Sequence, residues 1–206
     1  MKTPTRRRVP RAEREQQMLE VAEAVFAERG YQATSMDEIA TRVGVTKPML
    51  YEYFGSKDGL LTACLARSRQ QLHDKTMAAV SAGGEPRAIM LNAVRAFFEF
   101  VDDHAAAWAV LQSEAMLNAG PGAAEIEEIR RQQSDYTQAL LGSMPGAAQV
   151  SPLALQVRAE LVTGACERVA IWRSGQEAQV SAQQAADLVM AALWPGLGGE
   201  TGPGVG

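Results

Sequence analysis

At 206 residues, with 47% hydrophobic and 21% charged positions, the chain can bury a real core in one or two domains, and a largely disordered polypeptide is excluded. Its two cysteines, Cys64 and Cys166, form no CxxC, which excludes a disulfide framework and a readable zinc site; no apolar run approaches the roughly 20 residues of a membrane span. The net charge of −4 is uneven, with ten Lys/Arg against eight Asp/Glu in residues 1–57 and ten against sixteen beyond, so the basic end points to an anionic partner such as nucleic acid.

Five cations (Lys2, Arg6, Arg7, Arg8 and Arg11) precede the first acid, Glu13, and Pro4 and Pro10 oppose helix. No apolar stretch follows, so residues 1–10 read as a disordered basic arm and not a secretory signal, and a cytoplasmic protein is expected. The next periodic segment places Met18, Leu19, Ala22, Val25, Phe26 and Arg29 on one face of a first helix, ended by Gly30. Ser35-Met-Asp-Glu38 is a capping box that opens a second helix, broken by Gly44. A third begins at Thr46 to Pro48, where the missing proline N–H costs nothing, and carries Met49 to Phe54. Ser56 caps a long fourth helix from Lys57, with Leu60, Leu61, Cys64 and Leu65 on its inner side.

Past Gly83-Gly84 the composition shifts to Ala, Leu, Gln and Met, and helices are predicted near 86–103, 105–118, 123–142, 152–174 and 181–193. Residues 196–206 hold six glycines and read as a disordered tail. The expected fold is all-α. It comprises a three-helix domain over 11–71, with a helix-turn-helix motif at about 35–54, and a C-terminal helical bundle over 72–195.

The second and third helices carry the functional signal. A helix-turn-helix needs a small residue in mid-first-helix, a residue tolerating positive φ in the turn and an apolar anchor on the second helix; Ala40, Gly44 and Leu50 fall at that spacing. The outward residues Thr46, Lys47, Pro48, Met49, Tyr51 and Tyr53 are unlike the Glu/Lys alternation of a merely solvated helix. Lys47 and Lys57 can neutralise phosphates, the tyrosines can hydrogen-bond to them, and the helix N-termini near Ser35 and Lys57 favour anions. Lys47, Pro48 and Met49 occupy the tip that meets base edges in a recognition helix, where apolar contact with thymine methyls suits proline and methionine.

The words Met18-Leu-Glu-Val-Ala-Glu-Ala-Val-Phe26-Ala-Glu-Arg-Gly-Tyr31, Thr34-Ser-Met-Asp-Glu-Ile-Ala40 and Gly44-Val-Thr-Lys-Pro-Met-Leu-Tyr51-Glu-Tyr-Phe-Gly-Ser-Lys57 resemble the DNA-binding domain of TetR-type transcriptional regulators. The resemblance covers about a quarter of the chain. It implies an all-helical homodimer on an inverted-repeat operator, most often a repressor, with a C-terminal region that binds a small effector and dimerises. By that resemblance Ser35, Thr46, Tyr51, Tyr53 and Lys57 contact phosphates, and Lys47, Pro48 and Met49 read bases. Met49 departs from the family's usual Thr or Ser. Gly59 departs from its usual Glu, and on propensity weakens the start of the fourth helix by about 1 kcal/mol against Ala.

Residues 152–174 and 181–193 read as the dimerising pair. Leu161, Gly164, Ala165, Arg168, Val169 and Trp172 form a small-residue stripe, continued by Leu188, Val189, Ala192 and Leu193. Aromatic and soft residues interleaved with polar ones nominate an effector site from Met90, Phe97, Phe98, Trp108, Met116, Tyr136 and Cys166, with Glu114 and Glu160 as anchors. The expected effector is small and largely apolar. His73 and His104 lack metal-ligand or nucleophile companions, so neither an enzyme, a metal nor a cofactor is expected. The competing reading is a helical-bundle interaction protein that does not bind DNA.

Overall fold

The computed structural model describes residues 10–109, 123–175 and 180–197, and no strand occurs among them. The helices are α1 (Arg11–Ala33), α2 (Met36–Val43), α3 (Lys47–Phe54), α4 (Lys57–Ser81), α5 (Pro86–Asp103), α6 (Ala123–Gly142), α7 (Pro152–Ser174) and α8 (Ala182–Leu197), with a 3-10 turn at Ala147–Gln149. Residues 105–109 are also helical, while the remainder of the expected 105–118 helix lies outside the described residues. The fold is all-helical, as the periodicity predicts. Packing divides the described chain into two units: residues 10–68 with 106–109 and 123–125, and residues 69–105 with 126–175 and 180–197.

In the first unit α1 and α4 enclose the helix-turn-helix. Met18, Leu19, Ala22, Val25 and Phe26 of α1, Met36, Ile39 and Ala40 of α2, Leu50 of α3, and Leu60, Leu61, Cys64 and Leu65 of α4 are all buried. Ala40 has the small side chain that lets α3 cross closely, and Gly44 takes the left-handed conformation (φ 77°, ψ 35°) that turns the chain between them. Ser35 Oγ accepts the Glu38 amide at 3.2 Å, as a capping box requires. The Glu38 carboxylate, instead of reaching back to Ser35, pairs with Arg29 and Arg42.

Two local expectations are corrected. Helical structure runs past Gly30 to Ala33, although Gly30 itself breaks it at φ 75°, ψ 162°; Thr34 closes the break by donating to the Gly30 carbonyl at 2.8 Å. Gly59 is not a site where alanine would be better. A Cβ there would overlap the backbone carbonyl of Phe54, so a side chain has no room.

In the second unit α5 packs against α8, and α7 lies against both. Met90, Phe98, Phe100, Ile126, Leu141, Val162, Cys166, Val189 and Met190 are buried there. Two arginines tie the helices end to end. Arg173 donates to both Asp102 carboxylate oxygens and to the Phe98 and Val180 carbonyls. Arg158 donates at 3.0 Å to the carbonyl of Leu197, a C-terminal group with no helical partner. That bond accompanies the extension of α8 to Leu197, through Pro195 and beyond the expected 181–193; Gly196 and Leu197 are therefore helical and not tail, and 198–206 lie outside the described residues.

A candidate nucleic-acid interface

The α2–α3 pair positions the exposed polar residues from beneath. Leu50 is fully buried, so the rotation of α3 about its axis is fixed. Lys47, Pro48 and Tyr51 are then exposed, and Met49 and Tyr53 are half-buried. Thr46 sits exposed and extended at the α3 N-cap and makes no capping bond. Ser35 is exposed at the α2 N-terminus, with its hydroxyl engaged by Glu38. The sequence-predicted contact residues of α3 therefore share one helix, but Met49 offers only part of its side chain.

Charge at this surface is heavily compensated. Lys47 Nζ donates to Asp37 Oδ2 at 2.7 Å, and this bond holds the ammonium protonated above its usual range. Lys57 Nζ lies 4.4 Å from the centroid of the Tyr31 ring and donates at 3.3 Å to the Gln32 carbonyl. The Tyr31 hydroxyl in turn donates to Asp58. Arg42 joins Glu28 and Glu38, and the Arg11 guanidinium lies 4.7 Å from the Tyr53 ring centroid. By sequence, residues 10–57 hold six Lys/Arg against eight Asp/Glu, so the basic excess of this end comes from the four cations of residues 1–9. The parts that Tyr31 and Asp37 play at this surface carry no local sequence signal. Only the folded turn brings Asp37 to Lys47 across ten positions of chain.

The effector candidates do not behave alike. In the second unit Met90, Phe98 and Cys166 are buried, Phe97 and Tyr136 are half-buried, and Phe97 meets Phe98 edge-on with centroids 5.3 Å apart. Tyr136 stacks on His73 at 4.6 Å. Burial, aided by the neighbouring Glu167, raises the Cys166 thiol to about 12, which leaves it unreactive. Glu160 is exposed and accepts the Ser134 hydroxyl at 2.6 Å. Trp108 is buried in the first unit, and Glu114 and Met116 lie outside the described residues. No cluster of three or more His, Cys, Asp or Glu able to hold a metal occurs among the described residues. No helix among them is long and apolar enough to cross a membrane.

Comparison with known proteins gives two family matches: bacterial regulatory proteins of the tetR family over residues 18–64, and a tetracyclin repressor-like C-terminal domain over residues 86–196. The chain is 44% identical over 95 residues to the HTH-type transcriptional activator FasR of Mycolicibacterium smegmatis, 46% of this chain and 43% of that protein. It is 32% identical over 101 residues to the HTH-type transcriptional repressor KstR2 of Rhodococcus jostii, 49% of this chain and 50% of that protein. The chain thus spans about half the length of these curated relatives. A crystal structure of a TetR-like transcriptional regulator from Rhodococcus sp. RHA1 superposes with a TM-score of 0.75 at 36% identity, covering 94% of this chain and all of the other.

Proposed function

The chain belongs to the TetR family of bacterial regulatory proteins, and from that premise we propose that it is a transcriptional repressor, binding an inverted-repeat operator as a homodimer and released by a small effector. Its relatives and its fold are those of DNA-binding transcription regulators and not of enzymes. The working division is residues 11–71 for DNA binding and 72–195 for effector binding and dimerisation, in a cytoplasmic protein.

One observation carries the DNA reading. A fully buried Leu50 sets α3 so that Lys47, Pro48 and Tyr51 face outward together at its first two turns, directly after a left-handed Gly44. In this reading Lys47 and Pro48 enter the major groove with the exposed part of Met49. Ser35, Thr46, Tyr51, Tyr53 and Lys57 then meet the flanking phosphates, and the basic arm adds further phosphate contacts.

For the dimer, α7 and α8 carry an apolar outer face: Leu153, Leu161 and Leu188 are 69%, 55% and 67% exposed, and Val157 and Trp172 are exposed beside them. Two such hairpins from two subunits would make a four-helix interface. Val189 points into the core and drops out of the expected stripe. For the effector, half-buried Phe97 and Tyr136 remain the strongest candidates, since Met90, Phe98 and Cys166 are accounted for as core.

The test is binding of labelled DNA from upstream of the chain's own coding sequence, with Lys47→Ala and Tyr51→Ala as variants. Both residues are exposed, so both variants should fold and melt as wild type yet bind at least tenfold more weakly. Unchanged binding by both would sink the interface. A reporter under the upstream DNA should rise when the coding sequence is deleted; a fall would make the protein an activator, as its relative FasR is named.

A further inference from the structure

We infer that the Asp37 carboxylate is a specificity determinant of the proposed DNA interface, withholding Lys47 from DNA that offers it only a phosphate. The inference rests on the DNA-binding reading above and goes beyond it, because Asp37 is not itself among the proposed contacts.

The pair is built into the fold. Asp37 stands in the first turn of α2 and Lys47 at the first residue of α3. Both helices are pinned through buried side chains, Ile39 on one and Leu50 on the other. The α2 start is fixed by the Ser35 cap, and Thr41 donates to the Asp37 carbonyl at 2.8 Å. The two charged groups therefore meet at 2.7 Å without either helix moving, on a surface where both are exposed. Of the other acids near this turn, Glu28 and Glu38 are already engaged by Arg29 and Arg42, which leaves Asp37 to Lys47.

Magnitudes decide what such a pair does. An exposed ion pair contributes roughly 0–1 kcal/mol. A single exposed phosphate offers Lys47 a contact of the same kind, so exchanging Asp37 for phosphate gains little and leaves an anion facing the DNA. A well-placed contact to a guanine edge discriminates by about 1–3 kcal/mol, which exceeds the pair. Lys47 then leaves Asp37 on the right sequence and stays with it on the wrong one. Discrimination of this type comes from disfavouring competitors and not from strengthening the preferred partner.

Random-sequence DNA is the direct probe, and no operator is needed. Binding of the full-length chain to a random duplex of about three helical turns is measured by fluorescence anisotropy across 50–200 mM KCl. The proteins are wild type, Asp37→Asn, Lys47→Gln and the double variant, each first checked by thermal melting; Asp37→Ser stands in if Asp37→Asn melts early. Freeing Lys47 lets it neutralise about one more phosphate, so log K against log salt should steepen by about 0.9. Over that salt range Asp37→Asn should lose roughly three- to fourfold more affinity than wild type while binding several-fold tighter at the low-salt end. In the Lys47→Gln background the same substitution should produce less than half of either change. Equal changes in both backgrounds would show a diffuse charge effect and overturn the pairing. No change in either background would overturn it as well. Failure of every protein to bind random duplex at 50 mM would overturn this inference together with the DNA-binding reading.

Discussion

The carbonyl oxygen of Phe54 occupies the space that a Cβ on Gly59 would need. Phe54 ends α3 and Gly59 lies in the first turn of α4, so the absence of a side chain there lets α3 close down onto α4. Helix propensity favours alanine over glycine by about 1 kcal/mol, but the clash is with backbone and cannot be relieved by a rotamer. Gly59→Ala should therefore destabilise the chain, by about 1–3 kcal/mol net, and Gly59→Glu by more. Thermal or urea unfolding measures this directly; a stabilised alanine variant would mean that α3 and α4 separate readily.

Arg67 holds α1 to α4 through Glu23. Its Nη1 donates to Glu23 Oε2 at 2.8 Å, its Nη2 to Glu20, and its Nε to Gln16. Glu23 is 6% exposed, and burial raises its carboxyl above the ordinary 4.5 against the lowering influence of Arg67. Arg67→Met leaves that carboxylate buried beside no cation and should cost about 3 kcal/mol near neutral pH. Adding Glu23→Gln should recover most of the loss. A carboxyl whose folded pKa exceeds its unfolded value penalises folding above the folded pKa and ceases to do so below the unfolded one. The deficit of Arg67→Met should thus narrow as pH falls from 7 towards 4.5, and a deficit that is flat with pH would place its cause in poorer packing.

Gly164 of α7 has nothing within 4 Å of its would-be Cβ. Within one subunit a bulky residue is tolerated at that position. Between two subunits paired through α7 and α8 it would hold the helices apart. Gly164→Phe should leave the melting temperature of dilute protein within a few degrees of wild type and raise the dimer dissociation constant at least tenfold, as read by light scattering or sedimentation. A variant that dimerises as wild type moves the interface elsewhere.

Residues 1–9 hold four cations, whereas residues 10–57 carry two more acids than bases. Most non-specific affinity should accordingly reside in the arm. Deleting residues 2–9 spares Pro10, the α1 N-cap, and should make the salt dependence shallower by about 0.9 for each phosphate no longer neutralised. An unchanged slope would leave the arm without a role on DNA.

Features encoded by adjacent residues could be read from the sequence. Ser35 with Glu38, Gly44, Pro48 and Ser56 each fix a helix end through a bond or torsion within a few positions, and these ends set the register of the motif. Features that depend on contacts across the fold could not. Gly59 looks like a poor helix former until the Phe54 carbonyl above it is seen. Asp37 looks like a routine first-turn acid until the turn brings Lys47 to it. Among the effector candidates, soft and aromatic residues serve cores and pockets equally well, so composition could not separate buried Phe98 from half-buried Phe97 one position earlier.

Sequence-specific recognition of DNA by a dimer through α3 is read from a specificity ratio. The measurement compares the affinity of the full-length chain for a duplex from its own upstream DNA with that for a random duplex of equal length, both at 150 mM salt. A ratio of about a thousandfold or more is expected, with two subunits bound per inverted repeat and the preference cut at least tenfold in Lys47→Ala. Equal affinity for the upstream duplex and the random one would contradict it.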